Sequence, residues 1–254
     1  MGKIEVQNFP GESIAMPTLY TCPTCLDDFS QKSKWEDHIN RKKKCKPSQA
    51  VTQVLKTTRV KIETMKDSTG AFRENSLKMN KALPLKERQN QGIFFTPKKA
   101  RELIFQKFDE LRIVPKQILE PSFGSGEFLQ DLKEKYPDAS IVGVEFNKTL
   151  FESVSIPGVT LVHSDFLTFP ETWRFDCIVG NPPYFVIQQA NPECMVGRPN
   201  IYVAFLYKCL KYHLEPNGYL ACVLPTSLFN CSYYEPMRNY IANHCTIHYV
   251  ESWM

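Results

Sequence analysis

From Gly92 onward the apolar positions follow two different spacings in turn. Short apolar runs predict strands at Gln117 to Glu120, Ile141 to Glu145, Val159 to Val162, Asp176 to Val179, Tyr219 to Leu224 and Ile247 to Val250. Between them, apolar residues spaced by three and four predict helices over Pro97 to Leu111, Glu127 to Tyr136, Tyr202 to Tyr212 and Tyr233 to Ala242. Several strand runs are apolar on both faces, as strands covered by helices on two sides must be. The alternation predicts an α/β fold with a doubly wound, mainly parallel sheet, whose ligands sit beyond the carboxyl ends of the strands. Residues 47–90, by contrast, are polar, Lys-rich and weakly periodic, and read as a basic linker, helical or disordered in part.

At 254 residues the chain accommodates one sizeable α/β domain and a small appendage. It contains no run of about 18 apolar residues, and Met1 to Met16 mixes charge with Pro and Gly, so the expectation is a soluble intracellular protein with no membrane partner. The nine cysteines are odd in number, and Cys177, Cys209 and Cys222 lie in apolar runs, which suits buried thiols in a reducing compartment. The net charge of +4 divides unevenly. Residues 1–116 carry 23 Lys and Arg against 13 Asp and Glu (+10), and residues 117–254 carry 8 against 14 (−6). A basic front half points to a polyanionic partner.

Four residues in that basic half have metal-ligand spacing. Cys22-x2-Cys25-x12-His38-x6-Cys45 approaches the pattern of a ββα zinc finger, and Tyr20, Phe29 and Trp35 occupy the positions of its small core. So short a unit buries too little surface to fold without its structural Zn2+. The last ligand is Cys rather than His, so the helix is expected to break before Cys45. Arg41-Lys42-Lys43-Lys44 places cations where a finger meets phosphates, but a single finger reads only about 3 base pairs. It suits a tether to nucleic acid or to a protein partner. The expected organisation is a tail at 1–19, a C2HC finger at 20–46, the linker at 47–90 and a catalytic domain at 91–254.

The chemistry of that last domain lies at predicted strand ends. Glu120-Pro121-Ser122-Phe123-Gly124-Ser125-Gly126 joins a strand to a helix, and its glycines let the backbone approach a ligand closely. A third glycine at the dinucleotide spacing does not follow. Glu120 argues against a pyrophosphate and for a ligand with a cationic amine. Glu145 ends the next strand about 20 residues on, where an acid accepts hydrogen bonds from ribose hydroxyls. Asp165-Phe166, after the third strand, offers an acceptor for an exocyclic amine and a ring or edge for a purine. In this order the acids describe adenosine carrying an amino acid. Asn181-Pro182-Pro183-Tyr184 then follows Phe175 to Gly180 and offers fixed acceptors beside a stacking ring, although two prolines also simply terminate a strand.

Glu-Pro-x-x-Gly-x-Gly-x-Phe-Leu, the strand-two acid, Ser-Asp-Phe and Asn-Pro-Pro-Tyr, preceded by Gly92-Ile93-Phe94-Phe95-Thr96-Pro97, resemble the gamma-class, amino-methylating DNA adenine methyltransferases. The likeness covers roughly residues 90–254 and implies a Rossmann-like fold with S-adenosylmethionine as cofactor. It implies that Thr96 and the Gly124 to Gly126 loop hold the cofactor's carboxylate end, Glu120 its ammonium, Glu145 its ribose, and Asp165 with Phe166 its adenine; Pro97, Ser122, Phe146 and Asn181 complete the contacts. Asn181 and the Pro182 carbonyl would accept the N6 hydrogens of a flipped adenine in DNA while Tyr184 stacks on it, with Phe185 or Tyr202 on the other face. Asn-Pro-Pro-Tyr also serves a protein glutamine amide or an RNA base, and a catalytically inactive nucleic-acid-binding scaffold would keep the same fold. The ending of the finger, His-Ile-Asn-Arg-Lys-Lys-x-Cys, resembles fingers on proteins of large DNA viruses, which would place the protein in the nucleus or cytoplasm of a host cell. After Ile247 to Val250, similar to the family's sixth strand, the resemblance leads one to expect a missing seventh strand and a missing recognition domain, supplied by a partner or lost by truncation.

Overall fold

The computed structural model describes residues 20–21, 28–29, 33–34 and 70–251. Two compact units divide the chain, 1–60 with 250–253 and 61–249 with 254. In the first, β1 (Tyr20–Thr21) pairs antiparallel with β2 (Asp28–Phe29), Tyr20 opposite Phe29. Cys22, Cys25, His38 and Cys45 lie outside the described residues.

The second unit contains α1 (Glu74–Ala82), α2 (Leu85–Asn90), α3 (Lys98–Glu110), β3 (Gln117–Glu120), α4 (Glu127–Lys135), β4 (Ser140–Glu145) and α5 (Lys148–Ser153). It continues with β5 (Val159–His163), β6 (Phe175–Gly180), α6 (Ile201–Lys208), β7 (Leu214–Cys222), α7 (Ser227–Asn230) and α8 (Glu235–His244). The five strands form one parallel sheet in the order β5-β4-β3-β6-β7, with Ile118 opposite both Ile141 and Cys177. Successive side chains of a strand face opposite ways, and the core divides accordingly. Ile118, Ile141 and Cys177 pack with Phe105, Phe128 and Leu132 of α3 and α4. Their neighbours Leu119, Val142 and Ile178 pack on the other face with Phe166, Ile201 and Phe205. Both faces are covered, which is why these runs are apolar without a break.

Four expected elements change. The helix expected over Tyr202 to Tyr212 ends at Lys208, and Cys209–His213 widens into a π turn that carries His213 into the core, its Nδ1 3.0 Å from the Trp173 carbonyl oxygen. β7 begins at Leu214, ahead of the expected Tyr219: Leu214 pairs with Phe175, the chain bulges through Pro216-Asn217-Gly218 with Asn217 left-handed at φ 64°, and the ladder resumes with Tyr219 opposite Cys177. Ile247 to Val250, expected as a strand, joins neither sheet. A strand there needs a neighbour on the outer edge of β7, and the described residues supply none.

The fourth change is in the stretch read mainly as linker, where α1 and α2 form although they bury little apolar surface: Met79 and Leu83 pack with Leu150. Polar contacts anchor them to the domain. Asn75 Nδ2 donates to the Ser125 carbonyl (3.0 Å), and Asn147 Nδ2 donates to Gln91 Oε1 just after α2 (2.8 Å). No helix among the described residues is long and apolar enough to cross a membrane.

Gly143 in the middle of β4 leaves room for α4: a Cβ there would stand 2.7 Å from a Leu129 methyl and 2.8 Å from the Phe123 ring. Gly143→Ala is expected to destabilise the domain by about 1–3 kcal/mol through overpacking. The check is urea unfolding, where the midpoint should fall with the slope unchanged.

Candidate active site

The chain winds outward in opposite directions from β3 and β6, so the carboxyl ends of this adjacent pair form the switch point of the sheet. Glu120 ends β3 and Asn181 follows β6, and their loops are joined by Ser122 Oγ donating to the Asn181 carbonyl oxygen at 3.2 Å. Beyond Ser122 the chain turns through Gly124 (φ 56°) and Gly126 (φ 82°), a left-handed path that glycine takes without strain, and enters α4. The Gly124 amide donates to Glu145 Oε2 at 2.8 Å and the Asn147 amide to Oε1 at 2.7 Å, so the acid at the end of β4 holds the glycine turn. Burial raises the Glu145 pKa and these amides oppose the rise.

A third segment closes the site. Gly92, also left-handed (φ 61°), lies so close to the backbone of Tyr184 that a Cβ would stand 2.4 Å from its nitrogen. Two residues on, the Phe94 carbonyl accepts from Asn181 Nδ2 at 3.0 Å. The Thr96 carbonyl accepts a short hydrogen bond from Arg101, a residue of α3 only 2 % exposed. The same guanidinium reaches Asp131 at 2.6 Å and Glu127 at 2.8 Å, both on α4. Ser76 of α1 completes the frame: its hydroxyl lies 2.6 Å from Ser125 Oγ and donates to Glu127 in a short bond. Arg101 was legible as a cation beside the apolar stripe Ala100, Ile104, Phe105 and Phe108; Arg73, Asn75 and Ser76 carry no sequence signal that sets them apart.

Within this frame one cleft is lined by Phe94, Phe95, Thr96, Glu120, Ser122, Gly124, Ser125 and Asn181. Residues from three distant parts of the sequence meet there. The chemistry of the cleft is set by Glu120, which is 2 % exposed and whose Oε2 has no hydrogen-bond partner among the described residues. Burial, reinforced by the nearby Glu145, pushes the Glu120 carboxyl well above the usual carboxylate range. A buried carboxylate of this kind is costly unless a cation meets it. The site therefore fits a ligand that brings an ammonium group. Pro97 caps α3, and Pro182 is buried behind the corner.

The remaining expected residues lie around this cleft rather than lining it. Phe146, at the carboxyl end of β4, is 64 % exposed and presents an open ring. Asp165 accepts from the Leu167 amide at 2.9 Å and starts a single 3-10 turn. That turn swings Phe166 inward: its ring is buried against Phe169, Phe205 and His213, so the residue expected to offer a purine a ring or edge has its ring in the core. Lys208 holds the segment from behind, donating to the carbonyls of Leu167 (2.9 Å) and Phe169 (2.7 Å).

At the Asn181 corner, the Tyr184 hydroxyl lies within hydrogen-bond reach of Asn181 Oδ1, in a short contact, and of the Val223 carbonyl at 2.7 Å. One proton serves two acceptors. Burial raises the phenol pKa, which keeps that proton on Tyr184. Of the two rings expected to face Tyr184 across a base, Tyr202 is 1 % exposed and meets it edge-on, with its hydroxyl 2.9 Å from Ser227 Oγ. Tyr202 therefore forms no open wall. Phe185 is partly buried and packs against the core beneath the sheet.

Residues 127–252 match the family described as Eco57I restriction-modification methylase. The type II methyltransferase M.CvrRI of Paramecium bursaria Chlorella virus XZ-6E is 37 % identical over 177 residues, which is 68 % of this chain and 46 % of the relative. The modification methylase CviBIII of Paramecium bursaria Chlorella virus NC1A is 41 % identical over 169 residues, 63 % of this chain and 45 % of the relative. The chain thus spans less than half the length of these curated relatives. Among solved structures, a protein named as a class I S-adenosylmethionine-dependent methyltransferase of Listeria monocytogenes superimposes with a TM-score of 0.50 at 18 % identity, over 66 % of this chain and 56 % of that one. The fold is therefore that of the class I methyltransferases, and residues 127–252 carry the sequence pattern of the Eco57I restriction-modification methylases.

Proposed function

We propose that the protein is an S-adenosylmethionine-dependent methyltransferase that modifies the exocyclic N6 of adenine in DNA. The observation that carries this reading is the unpartnered Glu120 carboxylate in one cleft with Asn181. The names of the viral relatives, a type II methyltransferase and a modification methylase, support it. Glu120 would take the cofactor's ammonium, the glycine turn and Thr96 its carboxylate end, Glu145 its ribose, and Asp165 with the open ring of Phe146 its adenine. When bound, S-adenosylmethionine supplies an activated methyl group on a sulfonium centre. Zn2+ would be held by Cys22, Cys25, His38 and Cys45, making residues 20–46 a finger that tethers the catalytic domain at 91–254 to DNA.

The chain's own part is orientation. An adenine amine is a weak nucleophile because its lone pair is delocalised into the ring. Asn181 Oδ1 and the Pro182 carbonyl would accept hydrogen bonds from the two N–H groups, which draws the nitrogen toward tetrahedral geometry, localises its lone pair facing the methyl donor and leaves one N–H proton to depart to solvent once the N–C bond has formed. Positioning of this kind supplies roughly 7–11 kcal/mol of a barrier. The target atom is inaccessible in a duplex, so the base is flipped into the site.

Two outcomes test the assignment. Asn181→Ala is expected to lower transfer of labelled methyl to unmethylated DNA by at least about a hundredfold, with the affinity for S-adenosylmethionine kept within several-fold; equal turnover by wild type and variant would sink the role given to Asn181. The raised pKa of Glu120 sets a pH dependence with a definite sign. In the free protein the carboxyl holds its proton above the usual carboxylate range, whereas a bound ammonium favours the carboxylate. Binding then releases a proton, and affinity rises with pH up to the free-protein pKa. Calorimetry in two buffers of different ionisation enthalpy should detect that proton in wild type and lose it in Glu120→Gln. The variant should bind the cofactor weakly yet melt higher, by about 2–4 °C per kcal/mol, with the gain growing as pH rises.

A further inference from the structure

The glycine turn before α4 is held from outside the sheet. Gly124 and Gly126 give it a backbone free to take many conformations, yet the peptide plane joining Ser125 to Gly126 is pinned at both ends. The Gly126 amide donates to the Phe123 carbonyl at 2.8 Å, and Asn75 Nδ2 of α1 donates to the Ser125 carbonyl at 3.0 Å and to Ser153 Oγ at 3.2 Å. Ser76, the next residue of α1, is fully buried. Its hydroxyl gives its one proton to Glu127, so the Ser125 hydroxyl, 2.6 Å away, must donate to Ser76. A chain of donors thus runs from the turn through α1 to Glu127, which Arg101 meets at 2.8 Å. Ser125 and Glu127 both line the cleft.

We infer that Asn75 and Ser76 are positioning residues for the amino-acid end of the cofactor, and that docking of α1 and binding of that end strengthen each other. This rests on the methyltransferase reading and adds to its site a helix that hydrophobic periodicity passes over. Rotation of the 125–126 peptide plane would exchange its N–H for its C=O, break the bond to Phe123 and redirect the entry to α4. Asn75 opposes that rotation, because its own N–H would then face an N–H. α1 in turn has little apolar anchorage, Met79 and Leu83 against Leu150, and is fastened by the polar contacts of Arg73, Asn75 and Ser76. A ligand that needs the turn in this shape therefore favours the docked helix. Coupling of this kind is reciprocal, so loosening the helix weakens the ligand.

The test uses two probes: S-adenosylhomocysteine, which carries the amino-acid end, and 5′-methylthioadenosine, which keeps the nucleoside and the sulfur but lacks that end. Asn75→Asp preserves the size of the side chain and suits the first turn of a helix, but it sets an acceptor against the Ser125 carbonyl. It is expected to weaken S-adenosylhomocysteine by about tenfold or more, and by more than Asn75→Ala does. Ser76→Ala should weaken it by about fivefold. Each variant should keep 5′-methylthioadenosine within about threefold of wild type, which also shows that it is folded. In wild type, S-adenosylhomocysteine should slow amide hydrogen exchange over residues 74–82, and 5′-methylthioadenosine should not. Equal loss of both probes in all three variants overturns the inference, as does Asn75→Asp binding S-adenosylhomocysteine better than Asn75→Ala, or exchange in α1 that ignores S-adenosylhomocysteine. If wild type and variants bind S-adenosylhomocysteine equally, the inference fails and the methyltransferase reading stands. If wild type binds neither probe, that reading fails and takes the inference with it.

Discussion

The site depends on a buried guanidinium. Arg101 is almost fully out of water and meets Glu127, Asp131 and the Thr96 carbonyl, so three separate stretches of chain are held by one planar group. Taking such a charge out of water costs several kcal/mol, and only close acids and a carbonyl in good geometry offset it. The three contacts tie α3 to α4 and fasten the Thr96 end of the segment from Gly92 to the same guanidinium. Ser76 and the Arg73 amide reach the same Glu127, which fastens α1 to the start of α4 as well. Breaking the pair by removing one partner would leave an uncompensated buried charge, which is the more damaging loss.

Against that network, Glu120 is the exception that identifies the site. Glu127 and Asp131 have cations, Glu145 has two backbone amides, and Glu120 has an oxygen with nothing opposite. The protein has supplied partners for the acids that hold the structure together and withheld one from the acid that faces the cleft. Burying this carboxyl without a cation disfavours its charged form and so raises the energy of the empty domain at neutral pH, and on the proposed function a cationic ligand would remove that penalty. Stability and affinity are therefore opposed at this residue.

Much of this was legible in the chain because burial and turning leave marks in residue type. β3 and α4 fall at their expected places since an apolar run must be a covered strand in this alternation and Gly124 and Gly126 mark the turn between them. Glu120, singled out by its position before that turn, lines the cleft with one oxygen unpartnered among the described residues. Three things could not be read. α1 and α2 are held by Asn75, Ser76 and Gln91 rather than by an apolar stripe, so a search for periodicity passes over them. Phe166 reads in the sequence as offering a purine its ring or edge, but the turn capped by Asp165 aims that side chain into the core. Phe94 lies some ninety residues from the corner it serves, and no local pattern announces that Gly92 lets its segment lie against Tyr184.

The corner also shows how β7, though it contributes no residue to the cleft, takes part in the site. The Val223 amide donates to the Gly180 carbonyl at 3.1 Å, and the Val223 carbonyl lies within reach of the Tyr184 hydroxyl. Residue 223 thus ties the end of β6 to the corner that follows it. The shared phenolic proton has a consequence for Asn181. While Tyr184 donates to Val223, Asn181 Oδ1 is left with unmet acceptor capacity, and while it donates to Asn181, one lone pair of that oxygen is used and a second remains. The Nδ2 group meanwhile points to the Phe94 carbonyl, which fixes which side of the carboxamide is the acceptor. An oxygen oriented from both sides, with capacity in either state of the phenol, is preorganised for a donor N–H, and on the proposed function little reorganisation would be left for the reaction itself.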